Sequence, residues 1–161
     1  MLREKVYIDL TEGKKFLDTN KMDEWTKDDW DYFLPKVHNF GLIQIEMLNT
    51  TTLSLKISSI HYNEKSKEMF VTFEVQNRIA RNIYIKFGKW KIDEEHDFDL
   101  SKLEPELISS QSDISFFSRS VKFMFLERSL KMEVDIIEEA TNITIKSYDF
   151  EMKIYPTQDT I

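Results

Sequence analysis

The chain contains no cysteine. That excludes disulfides, thiolate metal sites and a cysteine nucleophile, and it suits a reducing compartment. Glycine and proline occur only three times each in 161 residues, which argues against a disordered or low-complexity chain. No phosphate-binding loop, dinucleotide fingerprint or GxSxG nucleophile elbow is present. The opening MLREKVYIDLTEGKKF has no apolar stretch of the length a secretory signal or membrane span requires. Basic residues are the minority, 22 against 29 acidic, and the net charge of -7 disfavours nucleic acid and anionic membranes as partners. A cytoplasmic home is the expectation.

What the chain does contain is alternation. Leu53, Leu55 and Ile57 alternate with Ser54, Lys56 and Ser58. Met69, Val71, Phe73 and Val75 alternate with Phe70, Thr72 and Glu74, and Leu130, Met132, Val134 and Ile136 with Lys131, Glu133 and Asp135. Period two places one face of each strand in a core and the other in water. With 12 phenylalanines that core is bulky. At this length one domain over residues 1–161 is expected, with a strand and helix in 1–40 and an antiparallel β region over 42–155.

In the first part, Val6, Ile8 and Leu10 predict a short strand. Asn20 or Asp23 is positioned to cap a helix running to about Leu34, with Pro35 as its stop. Trp30, Phe33, Leu34 and Val37 have core spacing. Trp25 lies five residues before Trp30, about 140° round such a helix, so the two indoles are expected to face different ways. In the second part, strands over 42–48, 53–61 and 69–76 are predicted, the last two joined as a hairpin through Asn63 to Lys67. The strand 82–92 changes parity between Phe87 and Trp90, and Gly88 at the change predicts a β-bulge with a positive φ. Asp93 to Asp99 reads as a solvated acidic link. Leu100, Leu103, Leu107 and Ile108 have approximate helical spacing broken by Pro105, which predicts a short helix or an ordered loop. Strands then resume over 116–126, 130–137 and 142–155, the last with a parity slip near Lys146.

Candidate chemistry is sparse. His38, His61 and His96 form no HxH, HExxH or HxxxH pair, and ordinary edge or surface roles explain them. The acidic run 93–99 lacks the spacing and glycine of a calcium loop, so no metal and no cofactor are expected. The stretch from Arg78 to Lys91 contains no acid; a local anion site is one reading, and the bland one is that it pairs with the acidic segments or simply faces water. Trp25, Asp28, Asp29, Asp31 and Tyr32 form the most suggestive cluster, because aromatic residues ringed by charge are typical of partner surfaces.

These features predict a mainly β fold, a two-layer antiparallel sandwich or open barrel with one N-terminal helix. The alternative is an α+β fold with one curved sheet and a helix across it. The expected function is non-enzymatic: binding another protein, one with a basic surface, through the acidic aromatic face. Toxin-neutralising immunity proteins and small phage-encoded inhibitors are compact, acidic, motif-free chains of this general kind. The alternative is a β-sandwich module that binds a small apolar ligand or calcium.

Overall fold

The computed structural model describes residues 2–10, 19–30, 45–111, 113–123, 126 and 128–154. Among these residues ten strands form two sheets. The larger contains β1 (Glu4–Asp9), β10 (Ile143–Lys153), β9 (Ser129–Glu138), β5 (Ile83–Ile92) and β6 (His96–Asp99) in that order, with β7 (Glu106–Ile108) also on β5. The smaller contains β2 (Ile45–Asn49), β3 (Leu53–Asn63), β4 (Glu68–Asn77) and β8 (Ser115–Val121) in that order. All pairs are antiparallel except β1 on β10, which is parallel. The fold is therefore the mainly β, sandwich-like arrangement that the alternation predicts.

Burial follows the period-two pattern closely. On β4, Met69, Val71, Phe73 and Val75 are fully buried, while Phe70, Thr72 and Glu74 are only partly covered. Leu130, Met132, Val134 and Ile136 on β9 do the same for the other sheet. Rings bridge the layers. Phe73 of β4 lies 4.9 Å from Phe87 and 6.1 Å from Trp90 of β5, and 5.2 Å from Phe117 of β8. Aromatic contacts at these separations add to what their buried area contributes.

Trp90 enters this cluster only because β5 carries a bulge. Phe87 pairs with Val134 and Trp90 with Met132, so Gly88 and Lys89 together oppose Glu133. The extra residue turns Phe87 and Trp90, three apart, onto one face, where their rings meet at 5.4 Å nearly perpendicular. The bulge is as predicted, but its glycine serves another purpose. Gly88 does not take a positive φ. A Cβ there would come within 2.8 Å of Glu133 Oε1 and 3.2 Å of Glu133 Cβ. The missing side chain makes room for the Glu133 carboxylate, which accepts the Lys89 backbone N–H at 2.8 Å. A second bulge lies between Thr144 and Lys146, where the parity slip of β10 places it. Two more, at Met47 in β2 and Ser58 in β3, leave weaker traces because mixed polarity hides the slip.

Three expectations are corrected. The run 93–99 is largely solvated, as expected, but it is more than a link: Asp93 and Glu94 make a turn with positive φ at both, and 96–99 pairs with β5. Residues 100–108 are not helical. Leu100 and Ile108 are buried, Leu103 and Leu107 are exposed, and 106–108 forms a short strand on Tyr84 and its neighbours. Edge pairing to β5 outweighs a weak helical periodicity that Pro105 already breaks. The helix proposed to start at Asn20 or Asp23 is instead a 3₁₀ segment, Thr19–Glu24, kinked at Lys21, followed by a separate helical turn at 27–30. Its proposed extension to Leu34, with Phe33, Pro35 and Val37, and residues 42–44 of the strand predicted over 42–48 lie outside the described residues.

Two buried polar groups lock the corners. Asn77, at the end of β4, is fully buried; its Nδ2 donates to the carbonyls of Arg81, Ile108 and Ser109, and its Oδ1 accepts the Ile79 N–H. Asp93 Oδ1 accepts the N–H groups of Arg128 and Ser129, fixing the β5–β6 turn to the start of β9.

Val71→Asp is expected to destabilise the fold by about 3 kcal/mol or more, since it buries an unpaired charge. Urea unfolding measures this, and an unchanged midpoint would contradict the register. Gly88→Ala is expected to cost about 1 kcal/mol, because Glu133 must leave the Lys89 N–H to admit the methyl. In a Glu133→Ala background most of that cost should disappear. Equal costs in the two backgrounds would show that Gly88 is required for a different reason.

Candidate functional site

The aromatic and acidic cluster sits on a tightly defined start of helix. Thr26 Oγ1 accepts the Asp29 N–H at 3.2 Å, and Asp29 Oδ2 accepts the Thr26 N–H at 3.0 Å. This is a reciprocal capping box with Thr26 as N-cap and an aspartate at the third helical position. The Trp30 N–H then reaches the Thr26 carbonyl, the first α-type bond. Trp25, just before the cap, and Trp30, at the fourth position, pack at 4.8 Å with planes tilted by 59°. Such a contact is a hydrophobic staple, which sets how the chain enters the helix.

The staple overturns the expectation that the indoles diverge. The 140° argument assumes one continuous helix through both residues, whereas the helix begins between them. The signal was present in the sequence as Trp-Thr-Lys-Asp-Asp-Trp, a cap with apolar residues just before it and four positions into the helix. Both indoles remain partly exposed. Asp23, Glu24 and Asp28 around them are exposed. Asp29, expected on the surface, is buried at 9% exposure with its carboxylate on the cap. Asp31 and Tyr32 lie outside the described residues. The structure thus brings Trp25 and Asp28 together with Trp30 and withdraws Asp29.

A second surface is a groove of about 660 Å³ on the outer face of the six-stranded sheet, whose floor carries Lys131 and Glu133 between Lys89, Lys91, Asp149 and Glu151. The register explains its composition. Tyr7, Glu151, Lys131, Lys91 and Asp97 form one cross-strand row, and Lys5, Asp149, Glu133 and Asp99 the next. Lys91 pairs with Asp97 at 3.6 Å, and Lys131 with Glu94 at 2.9 Å and Glu151 at 3.8 Å. Elsewhere in the basic stretch, Arg81 pairs with Glu138, and Arg78 donates to Asn49 Oδ1 and the Thr50 carbonyl. Arg81 and Lys91 of the basic stretch therefore meet acidic residues, in line with one branch of its bland reading.

Four groups are biased towards their charged forms. Hydrogen bonds from the Ser101 hydroxyl and N–H keep the Asp99 carboxyl below the usual range, with Lys89 assisting. The hydrogen bond to Glu94, with help from Glu151, raises Lys131. Glu138 is lowered by Arg81 and Thr141, and Glu68 by Ser120 and Lys122. A general acid requires the opposite, a carboxyl pushed towards neutrality. Among the described residues, no group of three or more His, Asp or Glu is placed to hold a metal ion. His61 stacks on Phe70 in the smaller sheet and His96 packs on Phe123 from the larger, so the structure does not gather them. His38 lies outside the described residues.

No family model matches the chain, and no curated protein matches it. Among solved structures, one described as the X-ray structure of Northeast Structural Genomics Consortium target SoR45 aligns over 68% of this chain and 86% of its own, at 7% identity and a TM-score of 0.27. A likeness that slight carries no argument.

Calcium in the millimolar range is expected to leave the melting temperature unchanged, because Asp93, Asp97 and Asp99 already hold N–H, lysine and serine partners. Asp93→Ala should cost about 2 kcal/mol with or without calcium, since it strands two N–H groups. Differential scanning calorimetry reads both, and a calcium-dependent rise lost in Asp97→Asn would overturn the assignment.

Proposed function

We propose that this chain is a non-enzymatic binding protein of the cytoplasm, and that its ligand is another protein with a basic rim and an apolar pocket. The observation that carries the reading is the Trp25–Trp30 pair, two partly exposed indoles fixed against each other beside exposed Asp23, Glu24 and Asp28. Tryptophan contributes large contact energies where it is rigid before binding, because little side-chain entropy remains to be lost. The capping box and staple supply that rigidity. Acidic neighbours favour a basic partner and speed its approach at low salt. Rings fill the space between the sheets around Phe73 and Trp90, which leaves the small-ligand alternative without support there. Immunity proteins and phage-encoded inhibitors remain the kinds of protein to which such a face is suited.

The test is capture from the native host with parent and variants, followed by mass spectrometry and affinity measurement on the partner found. Trp25→Ala is expected to weaken binding by about 2 kcal/mol or more, and Asp28→Lys to weaken it most at low salt. Circular dichroism should show the sheets intact in both. A partner held equally well by parent, Trp25→Ala and Asp28→Lys would refute this face.

A further inference from the structure

The edge of the smaller sheet is unusual among the edges of this fold. β8 pairs with β4 in an unbroken register from Ser115 to Val121, and among the described residues it is the last strand in its sheet. Beyond that pairing, the described residues give its backbone only two hydrogen bonds, both local: Arg119 Nη1 to the Ser118 carbonyl and the Phe123 N–H to the Val121 carbonyl. The other described edges are blunted in familiar ways. β1 carries Glu4, Lys5 and Asp9, β2 is short and bulged at Met47, and the far edge of the larger sheet is cut into strands of four and three residues. β8 has no proline, no lysine and no bulge. An unprotected edge of this kind is a template for a further strand.

The sequence of β8 selects the occupant. Antiparallel pairing of β8 with itself uses all seven residues when it is centred on Ser118. On the outer face, Phe116 of each copy, 61% exposed, then lies beside the small Ser120 of the other. Ile114, 54% exposed, meets the aliphatic stem of Lys122 from the second copy. Nearby charges are already balanced within each chain: Lys122 with Glu68, Lys56 with Glu74, and Arg119 with Glu106. Two copies of a chain of net charge -7 can therefore meet here without opposing like charges directly. Arg119 is also anchored by the Glu104 carbonyl, so it keeps partners when a new N–H takes Ser118 O.

We propose that the chain self-associates as a two-fold dimer through β8, pairing antiparallel about Ser118 to give a continuous eight-stranded sheet. The surface is separate from the Trp25 face, and the inference does not depend on it.

Sedimentation velocity of the full chain across the micromolar range tests it. The parent should shift from the 19.3 kDa monomer towards twice that mass as concentration rises. Ser118→Lys and Ser118→Glu each place like charges opposite one another at the axis, and each should weaken dimerisation at least about tenfold. Mixing the two variants in equal amounts should restore the dimer, because lysine then faces glutamate. Far-UV circular dichroism checks that each variant is folded, and Ser120→Lys replaces either one that is not. A parent that stays monomeric overturns the proposal, as does a dimer indifferent to these substitutions. Failure of the mixture to recover overturns the register centred on Ser118.

Discussion

The bond from the Lys89 N–H to the Glu133 carboxylate is the contact on which the core arrangement turns. A bulge leaves a backbone N–H out of the ladder, and at this exposed position a charged carboxylate is a stronger partner for it than water. Glu133 satisfies it from the strand next door, and Gly88 gives the carboxylate the space to do so. With the bulge secured, Phe87 and Trp90 share the inner face, and Phe73 and Phe117 close over them from the other sheet. A regular β5 would send Trp90 outward and leave the inter-sheet space short of its largest side chain.

The two faces of the larger sheet obey different physics. Inside, apolar area leaves water and shape decides the fit. Outside, the same strands present alternating lysines and carboxylates, and the pairing register makes them neighbours. Exposed pairs of this sort contribute little each to stability. They do neutralise one another across the groove, so the acidic balance of the chain is concentrated elsewhere, including Asp23, Glu24 and Asp28 beside the indole pair. Corners are held differently again: Asn77 ties the end of β4 to the β7 segment, with which it shares no ladder, and the Asp93 carboxylate carries the β5–β9 pairing on into its turn.

Much of the fold was legible because alternation is a local property. Val71 is buried for the same reason Thr72 is not, and both can be read from their neighbours. The bulges in β5 and β10 were legible as parity slips between well-marked apolar positions; those in β2 and β3 were not, since Met47 and Leu48 are both apolar and Ser58 and Ser59 both polar. The Trp25 cluster was found by composition but misread in geometry. Its orientation depends on where the helix starts, and Thr26, with Asp29, sets that start in place of Asn20 or Asp23. Asp29 went from surface to cap for that reason.

By itself, the sequence determined eight of the ten strands, the face most of their residues bury, the places where two of them slip, and the absence of thiol chemistry. Those follow from side-chain period and residue inventory, which need no knowledge of distant partners. Only the tertiary structure decided the order of the strands, the parallel seating of β1 on β10, the conversion of 96–99 and 106–108 into edge strands of β5, and the cancellation of the basic stretch by the acidic one. Each of these is a choice among pairings with similar local preference. What separates them is long-range packing, where the cost of closing a loop is set against the area and hydrogen bonds gained when two distant segments meet.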